Sequence, residues 1–370
     1  MRMRIGQNFP IQCIVAIIGL SFRGGESFAL AADPSIESSF LSNLRQVTSG
    51  FERAGEGYFS PDGKAIIYQA VPLNYPFYQI YSQSAPSKGG GEVQDAAGVP
   101  RLISTGRGRT TCAYFAPDGK SLIYASSHLD PQLKETEAKS RQQQAEDKKT
   151  GKRRRYQWDF DPAMEIFHAH LDGSGLTRLT KAPGYDAECA YSPDGKQIVF
   201  CSDRDGDPDL YIMDAAGGNV RQLTNSRGYD GGPFFSPDGK WIVFRSDRKQ
   251  ENFLQIMAIG VDGKHETALT DNVGVNWAPY WHPTEPYVIW TGADHSNPNV
   301  RPNYDLWMTR YEIKPDGVRA VGPKIRVTDH PAADVLPVFS PDGRRLMWTS
   351  SRGDGHTSQL WIADFKMPQP

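Results

Sequence analysis

From about residue 50 onward, apolar and polar positions alternate in short runs, each ended by a turn. AYFAP, from Ala113, precedes one turn, and KSLIYAS, from Lys120, follows it. Period-two alternation rich in aromatic and β-branched residues, broken by Pro, Asp and Gly, predicts antiparallel hairpins. The turn recurs: Ser-Pro-Asp-Gly stands at 60–63, 192–195, 236–239 and 340–343, Ala-Pro-Asp-Gly at 116–119, and a degenerate sixth copy begins at His282 with Pro283. Pro sets φ for the second turn position, Asp tolerates the third, and Gly accepts positive φ at the fourth. An apolar strand follows each turn: IIYQ, LIYA, IVFC, IVFR, YVIW and LMWT.

Two further strands complete each unit. DLYIMD from Asp209 and EIFHAH from Glu165 lead into a polar turn, then into VRQLT from Val220 or LTRLT from Leu176. Four antiparallel strands repeated six times predict a six-bladed β-propeller, which hides its sheet edges by radial repetition. The closure is also expected from the pattern. LRQVT at 44–48 is an outer strand with no blade before it, and the chain ends after QLWIADF without an outer strand. The first strand completes the last blade.

The N-terminus is of another kind. Arg2 and Arg4 precede the apolar run IQCIVAIIGLSF, followed by Ala29-Leu30-Ala31. A basic start, a short apolar core and a small-residue site predict a secretory signal peptide over 1–31, with an apolar part short for a bilayer span; an N-terminal anchor that is retained is the alternative. The expected organisation is therefore a signal at 1–31, a short segment at 32–43, the propeller at 44–366 with a charged insertion at about 129–162, and a tail at 367–370. A secreted or periplasmic monomer without a stable membrane span follows.

With 370 residues, a formal net charge of −2 and 38% hydrophobic content, the chain can bury a large core, and no charge excess argues for nucleic acid. Of four cysteines, Cys112, Cys189 and Cys201 lie beyond the signal, an odd set without framework spacing; buried thiols are expected rather than bridges.

These units, S-P-D-G-K-x-I-x-F followed by S-D-R, L-Y-x-M-D and R-x-L-T, resemble the repeats of the TolB-like β-propeller family over nearly the whole mature chain. The resemblance implies the propeller fold. Only about 12 residues separate the predicted signal from the first strand, so the α/β domain that precedes the propeller in TolB is not expected. A fused hydrolase domain of the prolyl oligopeptidase type is not expected either, and no G-x-S-x-G elbow appears.

Seven residues before the anchor prolines stand Ala54, Thr110, Asp186, Asp230, Asn276 and Asp334; five before stand Glu56, Cys112, Glu188, Gly232, Ala278 and Leu336. Glu56, Asp186, Glu188, Asp230, Asn276 and Asp334 are thus the candidate ligand-binding residues at one rim of the channel. They would hold a basic peptide or a cation such as calcium, although no motif demands a cofactor. The same Asp could instead cap the crossover backbone. The insertion, with KETEAKSRQQQAEDKKTGKRRR at 134–155, is read as a mobile or partly helical loop, or as a lid with Tyr156 and Trp158 as contacts; His295 and Arg301 reach from a second insertion at 294–303. The S-D-R triplets are read as scaffold. His168 and His170 share one strand face, far from the channel.

The functional expectation is a non-enzymatic binding module for an envelope or secreted protein, a peptide or a glycan. The alternative is a metal-dependent polysaccharide lyase: some TolB-like repeat proteins resemble oligogalacturonate lyases, whose metal is held by channel-facing histidines. Here the corresponding places offer Asp, Glu and Asn.

Overall fold

The structure is a computed structural model that describes residues 35–86, 98–152, 160–297, 299–355 and 357–368. The predicted signal, Tyr156 and Trp158 lie outside the described residues. Six four-stranded antiparallel sheets form the ring. Blade 1 runs Arg53–Phe59, Ala65–Val71, Gln79–Ser84, Arg101–Leu102, and blade 2 runs Thr110–Phe115, Ser121–Ser126, Glu165–His170, Thr177–Arg178. Blade 3 is Asp186–Tyr191, Gln197–Ser202, Asp209–Asp214, Arg221–Gln222, and blade 4 is Asp230–Phe235, Trp241–Ser246, Gln255–Gly260, Thr267–Ala268. Blade 5 is Gly274–Trp281, Tyr287–Asp294, Asp305–Lys314, Gly317–Arg326. Blade 6 is Asp334–Phe339, Arg345–Ser350 and Gln359–Phe365, with Leu41–Gln46 as its outer strand. The closing strand pairs Leu41 with Phe365 and Gln46 with Trp361, so it begins three residues earlier than the pattern at 44–48 suggests. Buried Leu41 explains the extension.

The Ser-Pro-Asp-Gly turns fold as their chemistry requires. Each Gly N–H reaches the Ser carbonyl at 2.8–2.9 Å, with Gly φ of +68° to +70°. The Ser hydroxyl donates to the turn Asp and accepts the backbone N–H of the residue opening the next strand, Ala65, Gln197, Trp241 or Arg345.

Outer strands are shorter than R-x-L-T predicts, only two residues in blades 1 to 4. In every blade a hydroxyl takes over the ladder. Thr48, Thr180, Thr224, Thr270, Thr328 and Ser104 each accept a third-strand N–H, from Leu360, Ile166, Leu210, Ile256, Leu306 and Ile80. A side-chain acceptor in place of a backbone one ends the regular pairing.

The charged insertion is a docked helix over most of its length. Helix α1, Leu133–Thr150, lies across the blade 1 loops. Buried Glu137 accepts Tyr75 Oη at 2.5 Å and Arg107 at 2.7 and 2.9 Å; Arg141 and Gln144 donate to the carbonyls of Asn74 and Pro76, and Lys148 meets Glu52. Burial alone would raise the Glu137 pKa, but the bonds from Arg107 and Tyr75 outweigh it and hold the carboxyl below its usual range. Trypsin should therefore cut slowly at Lys139 and Arg141, and Glu137→Ala should speed that cutting by about tenfold, as loss of roughly 1–2 kcal/mol of docking implies. Equal rates in both proteins would show that Glu137 does not pin the helix.

Candidate functional site

The two near-identical stretches at 184–204 and 228–248 interlock with themselves. In blade 4 the Tyr229 N–H donates to Asp247 Oδ1 at 2.7 Å, and Arg248 Nη2 returns to Asp230 Oδ2 at 2.6 Å. Blade 3 repeats this, with Tyr185 N–H to Asp203 at 2.6 Å and Arg204 to both Asp186 oxygens at 2.9 and 3.0 Å. The glycine of each Gly-Tyr-Asp lies at φ +114° or +112°, where a Cβ would collide with Asp203 or Asp247 Oδ1. Blade 6 keeps the ion pair, Arg352 to Asp334. In each of the three blades the arginine Nε also bonds the serine two residues before it.

This settles where the predicted rim residues sit. Asp186, Asp230 and Asp334 are no more than 1% exposed and paired inside the wall. Burial pushes the Asp230 and Asp334 carboxyls up, against the pull of Arg248 and Arg352. Asn276 is buried too, donating to Gln255 and Asn272 while accepting Trp290 Nε1 at 2.9 Å. None is presented to solvent, and all engage the scaffold, although Asp230 does so through Oδ2 alone while its Oδ1 is buried without a hydrogen-bond partner.

The residues five before each proline have a different character. All six, Glu56, Cys112, Glu188, Gly232, Ala278 and Leu336, have φ between +44° and +59° and sit at a bulge in the inner strand. The bulge turns the N–H toward the neighbouring blade: Glu56 donates to Thr349 Oγ1 at 3.1 Å, Leu336 to Thr291 Oγ1 at 2.9 Å and Gly232 to Glu188 Oε2 at 2.6 Å. Glu188 is the centre of a buried cluster. It also accepts Tyr229 Oη at 2.7 Å, Tyr185 Oη at 3.2 Å and Arg245 Nη2 at 2.8 Å. Glu56 accepts Tyr58 Oη, and burial raises its pKa. The three thiols are free and buried, and burial raises each above the ordinary range.

Two residues further along the inner strands, aromatic rings from opposite blades meet. Tyr58 of blade 1 lies 5.1 Å from Tyr114 and 5.7 Å from Phe234 of blade 4, and Phe234 lies 5.1 Å from Tyr280. Contact across the ring closes the axis on the hairpin side. The opposite end of the axis faces the crossovers and the loops between second and third strands. Phe160 lies over Tyr185 and Tyr229 there, at 5.0 and 5.8 Å. Arg53 stacks on Tyr78 at 4.9 Å, and Arg109 on Phe77 at 4.2 Å, with Asp161 3.6 Å from Arg109. The same face carries Leu73, Leu129, Val273 and Val300, each more than half exposed. His295 is half-buried against Phe253 at 5.7 Å, and Arg301 is exposed.

The histidines have local roles: His128 bonds Ser126, His282 serves the degenerate turn, and His330 accepts the Ala332 N–H. His168 and His170 have ring centroids 6.0 Å apart. Among the described residues, one group of metal-type donors converges, Asp205, Asp207 and Asp209, with an oxygen from each within 4.8 Å of the others. The Gln222 amide donates to both Asp205 and Asp209.

Burial, with help from Asp230, Asp207 and Asp205, pushes the Asp209 carboxyl up to about 7. An acid with its folded pKa above its unfolded value binds an extra proton only when folded, so its stability cost grows from about pH 4 to about pH 7 and then levels. Asp209→Asn should thus raise the unfolding free energy at pH 8 by about 1–2 kcal/mol, allowing for screening, and much less at pH 5. Melting curves at the two pH values check this; an equal effect at both would contradict the shift.

A family model described as the TolB beta propeller domain matches residues 150–298. The Tol-Pal system protein TolB of Bordetella pertussis is 49% identical over 39 residues, which are 10% of this chain and 9% of that protein; that of Bordetella parapertussis matches equally. The matched stretch thus spans about a tenth of those relatives. A putative TolB from Agrobacterium tumefaciens superposes with a TM-score of 0.55 at 22% identity, over 85% of this chain and 91% of that one. TolB from Acinetobacter baumannii gives 0.53 at 17%, over 86% and 65%. An oligogalacturonate lyase from Vibrio parahaemolyticus gives 0.51 at 14%, over 86% and 79%. At such identities the structural likenesses speak for the fold alone. By its repeats and its closed ring the chain is a six-bladed β-propeller, similar to the TolB propeller domain over residues 150–298.

Proposed function

We propose that the protein is an extracytoplasmic binding propeller, periplasmic or secreted, that docks an envelope or secreted protein on its crossover face. The observation that carries this reading is the contrast between the two parts of the site. The rim carboxylates and Asn276 are bound into the wall, while the loops above them expose Leu73, Leu129, Val273 and Val300 around an aromatic, arginine-bearing mouth. Exposed apolar groups beside aromatic and arginine side chains are the composition of docking surfaces. The expected peptide, glycan or calcium ligands belong to the same mouth and serve as arms of the test. No helix among the described residues is long and apolar enough to cross a membrane.

The test is site-specific photo-crosslinking in envelope extract, with the crosslinker at Val273 or Leu73 on the crossover face and at Leu176 on the hairpin side. Adducts from the first two positions alone support the proposal, and adducts from Leu176 alone would overturn it. Oligogalacturonate and a divalent cation are assayed in parallel, because turnover would replace the binding reading with the lyase.

A further inference from the structure

We infer that the flank between blades 2 and 3 is a carboxylate-binding groove, apart from the mouth and resting on no part of the docking proposal. A cavity of about 500 Å³ opens there, lined by Arg178, Lys181, Arg204, the Gly217-Gly218 turn and Val220. Among the described residues, that lining holds three cations and no carboxylate.

The reason for the cavity lies in the repeat. The arginine of each Ser-x-Arg triplet pairs with the aspartate of its own blade, but two of the three arginines also have a second carboxylate. Arg248 reaches Glu266 through Nη1 while Nη2 holds Asp230. Arg352 holds Asp334 and, through both terminal nitrogens, Glu37. Among the described residues, Arg204 has Asp186 alone. The strand register identifies the missing group. Gln222 faces Tyr211 as Ala268 faces Met257, so Val220 stands where blade 4 has Glu266. A half-exposed valine, which can offer Arg204 no charge, lines the groove in place of that glutamate.

The neighbouring groups fit an anion. Arg178 is held by Glu165 and by the Thr180 carbonyl, and Arg204 by Asp186 and Ser202, so both guanidiniums are fixed before any ligand arrives. Those two arginines are balanced by their partners. Lys181 makes no ion pair among the described residues and adds a positive charge to the groove lining. Asp205, on the loop above, is bonded by Gln222. A ligand carboxylate in the position of the Glu266 carboxylate would gain charge-assisted hydrogen bonds from Arg204 and attraction from Lys181. Its apolar part would cover Leu179, Ala182 and Val220. The ligand class is a carboxylate on a short aliphatic stem, either a small organic acid or a glutamate side chain of a protein segment.

Binding of glutarate, and separately of a capped hexaglutamate peptide, is measured by calorimetry at low salt on the full chain. The same is done for Val220→Glu, Lys181→Ala and, as a charge control, Lys196→Ala. Wild type and Lys196→Ala should bind, whereas Lys181→Ala and Val220→Glu should bind about tenfold or more weakly. Val220→Glu should also melt higher than wild type, since it supplies the second carboxylate from within the chain. Glutarate binding as well as the peptide identifies a free acid as sufficient, and binding of the peptide alone identifies an acidic protein segment. No binding to wild type, equal binding by Val220→Glu, or equal weakening in Lys196→Ala would overturn the groove.

Discussion

A chain lacking residues 1–49 should melt about 10 °C or more below a chain that begins at Ser35, because it loses roughly 5 kcal/mol or more of burial and ion pairing. The closing strand buries Leu41 and Val47, pairs along the third strand of blade 6, and through Thr48 bonds both Gln359 and the Leu360 N–H. It also brings Glu37 to Arg352. Without it that guanidinium loses one partner, blade 6 gains an open edge, and the ring loses the contact that joins its two ends. Circular dichroism melting checks the result. Coincident curves would mean that the ring is held by inter-blade packing and that the closing strand is incidental.

Arg352→Ala should cost about 3–5 kcal/mol near neutral pH, the usual consequence of removing one partner from a buried ion pair. Its side chain is 5% exposed and links Asp334, Glu37 and Ser350. Its removal leaves Asp334 buried with Trp348 Nε1 as a remaining donor. The sign with pH follows from Asp334, which burial already raises above its ordinary value. Without the arginine its folded pKa rises further, and an acid raised in the folded state loses stability as pH rises between its unfolded and folded values. The deficit should therefore be smaller at pH 5 than at pH 8. Urea unfolding at both values measures it, and a deficit that shrinks toward pH 8 would contradict the assignment.

The hairpins, the blade count and the closure were legible because they rest on local turn chemistry repeated at fixed offsets. Ser60, Pro61, Asp62 and Gly63 bond one another and the strand they start, so the motif and the structure coincide. The ring of carboxylates was legible as a recurrence but not as a role. Its partner was present in the same lines: every Asp seven before the proline has an arginine 18 residues later, Asp186 with Arg204, Asp230 with Arg248, Asp334 with Arg352. That constant spacing is the signal for a pair across one hairpin. The bulge could not be read, because Glu56, Cys112, Glu188, Gly232, Ala278 and Leu336 share a backbone conformation and no side-chain chemistry. Helix α1 gave no apolar stripe; its docking rests on Leu133 and Glu137, and the partners of Glu137, Tyr75 and Arg107, lie in other loops. The glutamate missing at Val220 becomes visible only when blades 3 and 4 are aligned by strand register.

If the repeated aspartates hold the blades and the loop face above them takes the proposed partner, the two roles separate by mutation. The most direct measurement pairs a thermal melt with capture of the crosslinked envelope partner, for Asp230→Asn and Val273→Asp side by side. Asp230→Asn should melt lower than wild type yet capture normally below its melting point, and Val273→Asp should melt as wild type and lose capture. An Asp230→Asn protein that melts at or above wild type and no longer captures would contradict the account and return the carboxylates to the ligand.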